Sequence, residues 1–196
     1  MLAEVAGPSE RESLDQVRQQ VSHLVLLVER LLILADPTKV EVGETVDLAD
    51  VVEAVREPLS PEAKARVRVD VAQDVLVRGD GPLLRVLVAN ALENALKFSQ
   101  AEVSLRVDAD EGPRIVIEDS GPGLEPGELD EVRAHFRRGR HALREGLPGH
   151  GIGLTLMDHI VRAHGGELSL TTRSPRGTRV VVRLPPWRPQ SNPNGR

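Results

Sequence analysis

Apolar residues along the chain recur with two different periods, and the alternation of those periods predicts the elements. From residue 12 to residue 35, Leu14, Val17, Val21, Leu24, Val28, Leu31 and Ala35 follow one another at steps of three and four. That unbroken heptad series predicts one long helix, and Pro37 ends it. Residues 1–11 are polar and carry Gly7-Pro8-Ser9, which predicts a disordered lead. Beyond Pro37 the pattern predicts a strand at 45–48, a helix at 49–59 closed by Pro58 and Pro61, and strands at 66–71 and 75–77. A strong helix follows at 82–99, then strands at 102–108 and 114–119 about the turn Glu111-Gly112-Pro113. A helix at 151–164 stops at Gly165-Gly166, a C-cap signal, and two strands, 167–172 and 178–184, close the pattern as a hairpin. Residues 120–150 are irregular, Gly-rich and basic, with a short helix expected at 126–138. From Pro185 the chain reads as a disordered, Pro- and Asn-rich tail. Mixed strands and helices with adjacent hairpins predict an α+β fold. The expected form is a two-layer sandwich, a mixed β-sheet with helices on one face, preceded by the N-terminal helix.

Composition narrows the possibilities. The chain has 196 residues, 40% hydrophobic and 28% charged, with a net charge of −5 and no cysteine. Thiol chemistry, disulfides and Cys-based metal sites are excluded. A net negative chain with only Phe98, Phe136 and Trp187 as aromatics offers nucleic acid neither a basic patch nor stacking platforms. Its longest apolar stretch, 24–35, is broken by Glu29 and Arg30, so no membrane span is expected. The opening residues lack a signal-peptide pattern, and a cytoplasmic location is expected.

Three motifs carry candidate chemistry. On the helix at 82–99, Asn90, Asn94 and Lys97 fall within an arc of about 60°, opposite Leu84, Val88, Ala91, Leu92, Ala95 and Leu96. Asn is a poor mid-helix residue, so two amides in line with an ammonium suit a phosphate with its Mg²⁺ better than they suit solvent. Next, 115–118 is a buried strand running into Asp119-Ser120-Gly121-Pro122-Gly123. The glycines let the backbone turn and approach a ligand, and Asp119 can accept from an exocyclic amine such as that of adenine. Third, Gly149-His150-Gly151-Ile152-Gly153-Leu154 opens a helix, where backbone N–H groups form an anion site. The glycine spacing is not that of a Rossmann turn, and no Walker lysine motif is present.

Asn90-x-x-x-Asn94-Ala95-x-Lys97-Phe98-Ser99, Asp119-x-Gly121-x-Gly123 and Gly149-x-Gly151-x-Gly153-Leu154 resemble, in order and spacing, the N, G1 and G2 boxes of the ATP-binding domain of sensor histidine kinases. The resemblance extends over about residues 47–184. It implies the ATP-binding fold shared with type II topoisomerases, heat-shock chaperones and mismatch-repair ATPases, placed here at 45–184, with 120–150 as the lid. It implies ATP and Mg²⁺ as ligands. Asp119, Gly121 and Gly123 would hold adenine, and Asn94 the metal. Asn90 and Lys97 would contact phosphates and carry catalysis. Phe98, Arg138, Gly149, His150, Gly151, Ile152, Gly153 and Leu154 would complete the nucleotide site. Hydrolases of the superfamily carry a Glu at the place of Asn90. An amide is no general base, which favours phosphoryl transfer to a side chain, and Glu93 is expected in solvent or facing the lid.

The chain departs from the pattern in two places. His135-Phe136-Arg137-Arg138-Gly139 keeps one Phe of the F box, but Arg133 stands where the other is usual. Residues 12–36 are similar to the second helix of the dimerisation hairpin, whose first helix bears the acceptor histidine. Only eleven residues precede it here, so that acceptor helix is expected to be absent from this sequence. His23 falls at the wrong register to replace it, and His135, His141, His150, His159 and His164 read as lid or surface groups. The expected partners are a response regulator or a histidine-bearing protein, and a second copy of the chain through 12–35. Alternatively that helix packs on its own domain. Two other functions stay open: a non-catalytic, nucleotide-gated binding module and an anti-sigma-type serine kinase.

Overall fold

The computed structural model describes Val17, Val21, Leu24, Val28, Leu32 and residues 42–123, 152–173 and 176–187. The chain divides into two compact units, Met1–Lys39 and Val40–Arg196. In the first unit the five described residues are all helical, and all five side chains are more than half exposed. The expected lead at 1–11 and the short helix at 126–138 lie outside the described residues.

The second unit starts with β1 (Glu44–Asp47) and α1 (Leu48–Arg56). The Asp47 carboxylate caps α1 by accepting from the Ala49 N–H at 2.9 Å. Here the structure departs from the expected single helix at 49–59. The helix stops at Arg56, and a second one, α2 (Pro61–Arg66), fills the stretch before the strand. Pro61 starts a helix rather than ending one, because its missing N–H is an unpaired position in any first turn. The Ser60 hydroxyl caps it, accepting from the Ala63 N–H at 3.2 Å. Then come β2 (Val67–Val71), β3 (Leu76–Gly79) and α3 (Gly81–Phe98), the last capped by Asp80 accepting from the Leu83 N–H at 3.0 Å. β4 (Val103–Asp108) and β5 (Arg114–Glu118) follow as a hairpin. After residues outside the description come α4 (Ile152–Ala163), β6 (Glu167–Thr172) and β7 (Thr178–Arg183).

Five strands form one sheet in the order β2-β4-β5-β7-β6, and β1 pairs with β3 in a separate two-stranded ribbon. Only β2 and β4 run parallel, so the main sheet is mixed as expected. Its register lines up Leu105, Ile117 and Val180 in one row across β4, β5 and β7, and Val107, Ile115 and Val182 in another. These side chains, with Leu84, Leu87, Val88 and Ala91 of α3 and Leu156, Met157 and Ile160 of α4, make the core; all but Val180 are nearly fully buried. Burying each large aliphatic side chain is worth roughly 1.5–3 kcal/mol, so α3 and α4 are held mainly by this packing.

Two expectations are corrected at the edges of this core. Residues 185–187 are not a free tail: Pro186 bridges to Val77 and the Trp187 N–H donates to the Leu76 carbonyl at 3.1 Å, which extends the β1–β3 ribbon. Residues 188–196 lie outside the described residues. His164 is not a surface group either, being only 3% exposed. Its Nδ1 donates to the Ile160 carbonyl at 2.7 Å, while its Nε2 accepts from the Asp80 N–H at 3.0 Å. Those partners assign the neutral Nδ1–H tautomer. The ring thus ties the end of α4 to the cap of α3. Gly79 makes room for it, because a Cβ there would lie 2.9 Å from His164 Cδ2.

Candidate nucleotide-binding site

The site is built where α3, α4 and the segment after β5 converge. Asn90 sits in the middle of α3 and is 3% exposed. Its Nδ2 donates to the Val86 carbonyl one turn back, at 2.7 Å, which fixes the amide and directs Oδ1 away from its own helix. The first turn of α4 lies over that oxygen. A Cβ on Gly153 would stand 3.3 Å from Asn90 Oδ1 and 3.7 Å from Asn94 Nδ2. Two motifs 60 residues apart therefore meet, and the small residue at 153 permits their separation. The anion-attracting N-terminus of α4 faces the amide stripe of α3. Ile152 and Leu154, the neighbours of Gly153 in the chain, are half-buried, and so are Asn94, Lys97 and Phe98 on α3. Lys97 Nζ stands 5.1 Å from the centroid of the Phe98 ring, a cation–π distance.

The other end of the site is the loop that leaves β5. Asp119 is 5% exposed. Its Oδ1 accepts from the Gly121 N–H at 2.7 Å and from the Thr178 N–H at 3.2 Å. Its own N–H donates to the Thr178 carbonyl at 3.0 Å, and its carbonyl accepts from Arg173 Nη1 at 3.3 Å. Both side-chain bonds found among the described residues fall on Oδ1, and none falls on Oδ2. Glycines let the surrounding backbone close in. A Cβ on Gly121 would stand 2.5 Å from the Phe98 carbonyl oxygen, so the loop rests on the last turn of α3. Gly123 has a φ of +78°, and a Cβ there would be 3.0 Å from the Gly177 carbonyl oxygen.

The structure thus brings Asn90, Asn94 and Gly153 together and places Asp119, Gly121 and Phe98 in a second cluster on the same helix. Arg138, Gly149, His150 and Gly151 lie outside the described residues. Sequence reasoning missed Gly177, Thr178 and Arg173, which back Asp119 from the β6–β7 hairpin. A glycine one residue before a strand was the available signal, but nothing local says which loop it faces. The donor set offered to a metal is amide oxygen. Among the described residues no three His, Asp or Glu side chains gather as a metal site. An Asn oxygen fits a hard cation that a ligand's own phosphates hold in part.

Comparison with known proteins agrees with this geometry. The family of histidine kinase-, DNA gyrase B- and HSP90-like ATPases matches residues 79–188. The chain is 31% identical over 194 residues to the sensor protein KdpD of Escherichia coli K12, covering 94% of this chain and 21% of that protein. It is 34% identical over 116 residues to the sensor protein BasS of the same organism, covering 58% of this chain and 31% of that one. It therefore spans between a fifth and a third of these two curated relatives. The solved structure of the mycobacterial sensor histidine kinase MprB superposes with a TM-score of 0.62 at 29% identity, over 74% of this chain and 99% of that one. The family match spans α3, β4, β5, α4, β6 and β7, the elements that build the site: the chain belongs to the histidine kinase-, DNA gyrase B- and HSP90-like ATPases, with an ATP-binding domain of the sensor histidine kinase kind.

Proposed function

We propose that the chain is the ATP- and Mg²⁺-binding catalytic part of a two-component sensor histidine kinase, acting in the cytoplasm on the histidine of a dimerisation hairpin. The observation that carries this reading is the contact of Gly153 with Asn90 and Asn94. Among the described residues, α3 presents amides and no acid at the place where the phosphates would lie, and an amide is no general base for water. Bound Mg²⁺ would neutralise phosphate charge. Asp119 Oδ2 would accept from the adenine amine, and Asn94 would lend its amide oxygen to the metal. Asn90 and Lys97 meet the phosphates from α3, and the N–H groups at the start of α4 meet them from above. The β–γ bond of ATP breaks as the γ-phosphoryl moves to an imidazole nitrogen, leaving ADP. The protein's part is positioning and charge stabilisation. Incubation with γ-labelled ATP and an isolated histidine-kinase hairpin tests it. Acid-labile label on the hairpin is expected; phosphate release without labelling would make the chain a hydrolase, and label on serine a serine kinase.

Asn94→Ala is expected to weaken ATP binding by about tenfold when Mg²⁺ is present, in line with the loss of a metal-orienting group. In EDTA the variant and the parent should bind alike. Titration calorimetry under both conditions decides it, and an equal loss in both would remove Asn94 as a metal ligand.

The first unit supplies a partner surface. Val17, Val21, Leu24, Val28 and Leu32 are each helical and 51–64% exposed, at the steps of three and four that suit a helix-to-helix seam. The chain is therefore expected to dimerise through 12–35. Light scattering at tens of micromolar should find the full chain dimeric and a version starting at Val40 monomeric, with both binding ATP. Two monomers would show that the seam is not an assembly surface.

A further inference from the structure

Arg66 stands outside every motif above, yet it grips the end of the helix that carries two of them. It is the last residue of α2, half-buried, and its backbone leads straight into β2. Its Nη2 donates to the carbonyls of Leu96 at 3.2 Å and Ala101 at 3.5 Å, and to that of Ser99 between them. These are carbonyls at and just beyond the last turn of α3, the ones a helix end leaves without partners. A cation there also opposes the negative pole of the helix. One guanidinium group thus fastens the turn that joins α3 to β4.

That turn bears directly on the site. Lys97 and Phe98 lie between the first two gripped carbonyls. The carbonyl between them and Ser99, that of Phe98, is the surface on which Gly121 rests, with no room for a Cβ. Gly121 in turn donates to Asp119 Oδ1 at 2.7 Å. Neither side of this approach has a side chain that could rotate to take up a displacement, so a shift of the turn is passed to the loop backbone. The path from Arg66 to the adenine-binding carboxylate therefore has two backbone steps: the turn at 96–101 and Gly121.

We infer that Arg66 is a positioning residue for the adenine end of the nucleotide site, holding the α3 turn against the Asp119 loop without touching the ligand. The inference rests on the reading of Asp119 as the adenine acceptor. Its test measures ATP and adenosine affinity by calorimetry for the parent, Arg66→Ala, Arg66→Lys, Asp119→Asn and Val52→Ala. Val52 is buried in α1 and has no part in the site. Arg66→Ala should weaken both ligands by about tenfold, the effect of losing one charged hydrogen-bond donor. Arg66→Lys keeps a cation with several donors and should recover most of that loss. Val52→Ala should lower the unfolding temperature but leave affinity unchanged. Unaltered binding by Arg66→Ala overturns the inference, as does an equal loss in Val52→Ala, which would make the effect one of general stability. Should Arg66→Ala fail to fold, Arg66→Met, which keeps the apolar stem and has no donor, replaces it in the comparison, and parental affinity in that variant overturns the inference equally. If the parent does not bind ATP, or Asp119→Asn binds as the parent does, it is the reading of the site that falls.

Discussion

Asp119→Asn is expected to reduce ATP affinity by about 100-fold, the scale of an unmet buried polar contact to a formerly charged group, while the protein remains folded. The geometry separates the two effects. An asparagine at 119 can keep its oxygen where Oδ1 now accepts from the Gly121 and Thr178 N–H groups. The backbone bonds to Thr178 do not involve the side chain at all. What changes is the other position, where an NH₂ group replaces Oδ2. Adenine's exocyclic amine is also a donor, so two donors would face each other. Turning the amide over would restore the ligand contact only by setting NH₂ against the two backbone donors. Calorimetry should show the loss of binding and thermal unfolding a nearly unchanged midpoint. Unchanged affinity would remove Asp119 from adenine recognition.

Gly177→Ala should cost both stability and binding. A Cβ at 177 would stand 2.0 Å from the Asp119 carbonyl oxygen, and the residue has a φ of +118°. The carbonyl cannot retreat without pulling Asp119 from Thr178. Backbone strain and overpacking each cost about 1–3 kcal/mol, so a loss of about 2–6 kcal/mol is expected by urea unfolding, with nucleotide binding lost in the fraction that stays folded. Gly112 offers the control. Its φ is +95°, but nothing lies within 4 Å of a Cβ there, so Gly112→Ala carries the backbone strain without the clash and leaves binding intact. Equal losses at the two glycines would mean that the contact with Asp119 is not what Gly177 serves.

Most of the architecture was legible because its causes are local. The apolar spacing of α3 and α4, the alternation in β4, the valine run in β7 and the glycines after Ala163 each fall within a few residues of the element they define. The amide stripe was legible for the same reason, since Asn90, Asn94 and Lys97 share a face of one helix whatever surrounds it. Where a signal had two meanings the reading failed. Pro61 ends a helix when read from its left and starts one when read from Ser60, and only the packed chain chose the second.

The sequence by itself determined the fold class, the helix with its two amides and a lysine, the carboxylate before two glycines, and the glycine-led start of α4. These are properties of short segments, set by backbone geometry and side-chain period. Tertiary structure decided which of them meet. Strand register placed Thr178 beside Asp119 and brought Gly177 down on its carbonyl, because β7 pairs with β5 across some sixty residues of chain. Packing of α4 on α3 set Gly153 over Asn90, and it turned His164 from an expected surface group into a buried link to the cap of α3. Arg66 found three carbonyls 30 to 35 residues away. Hydrogen bonds and close contacts of that range depend on where the core puts each backbone, and no pattern within a segment encodes it.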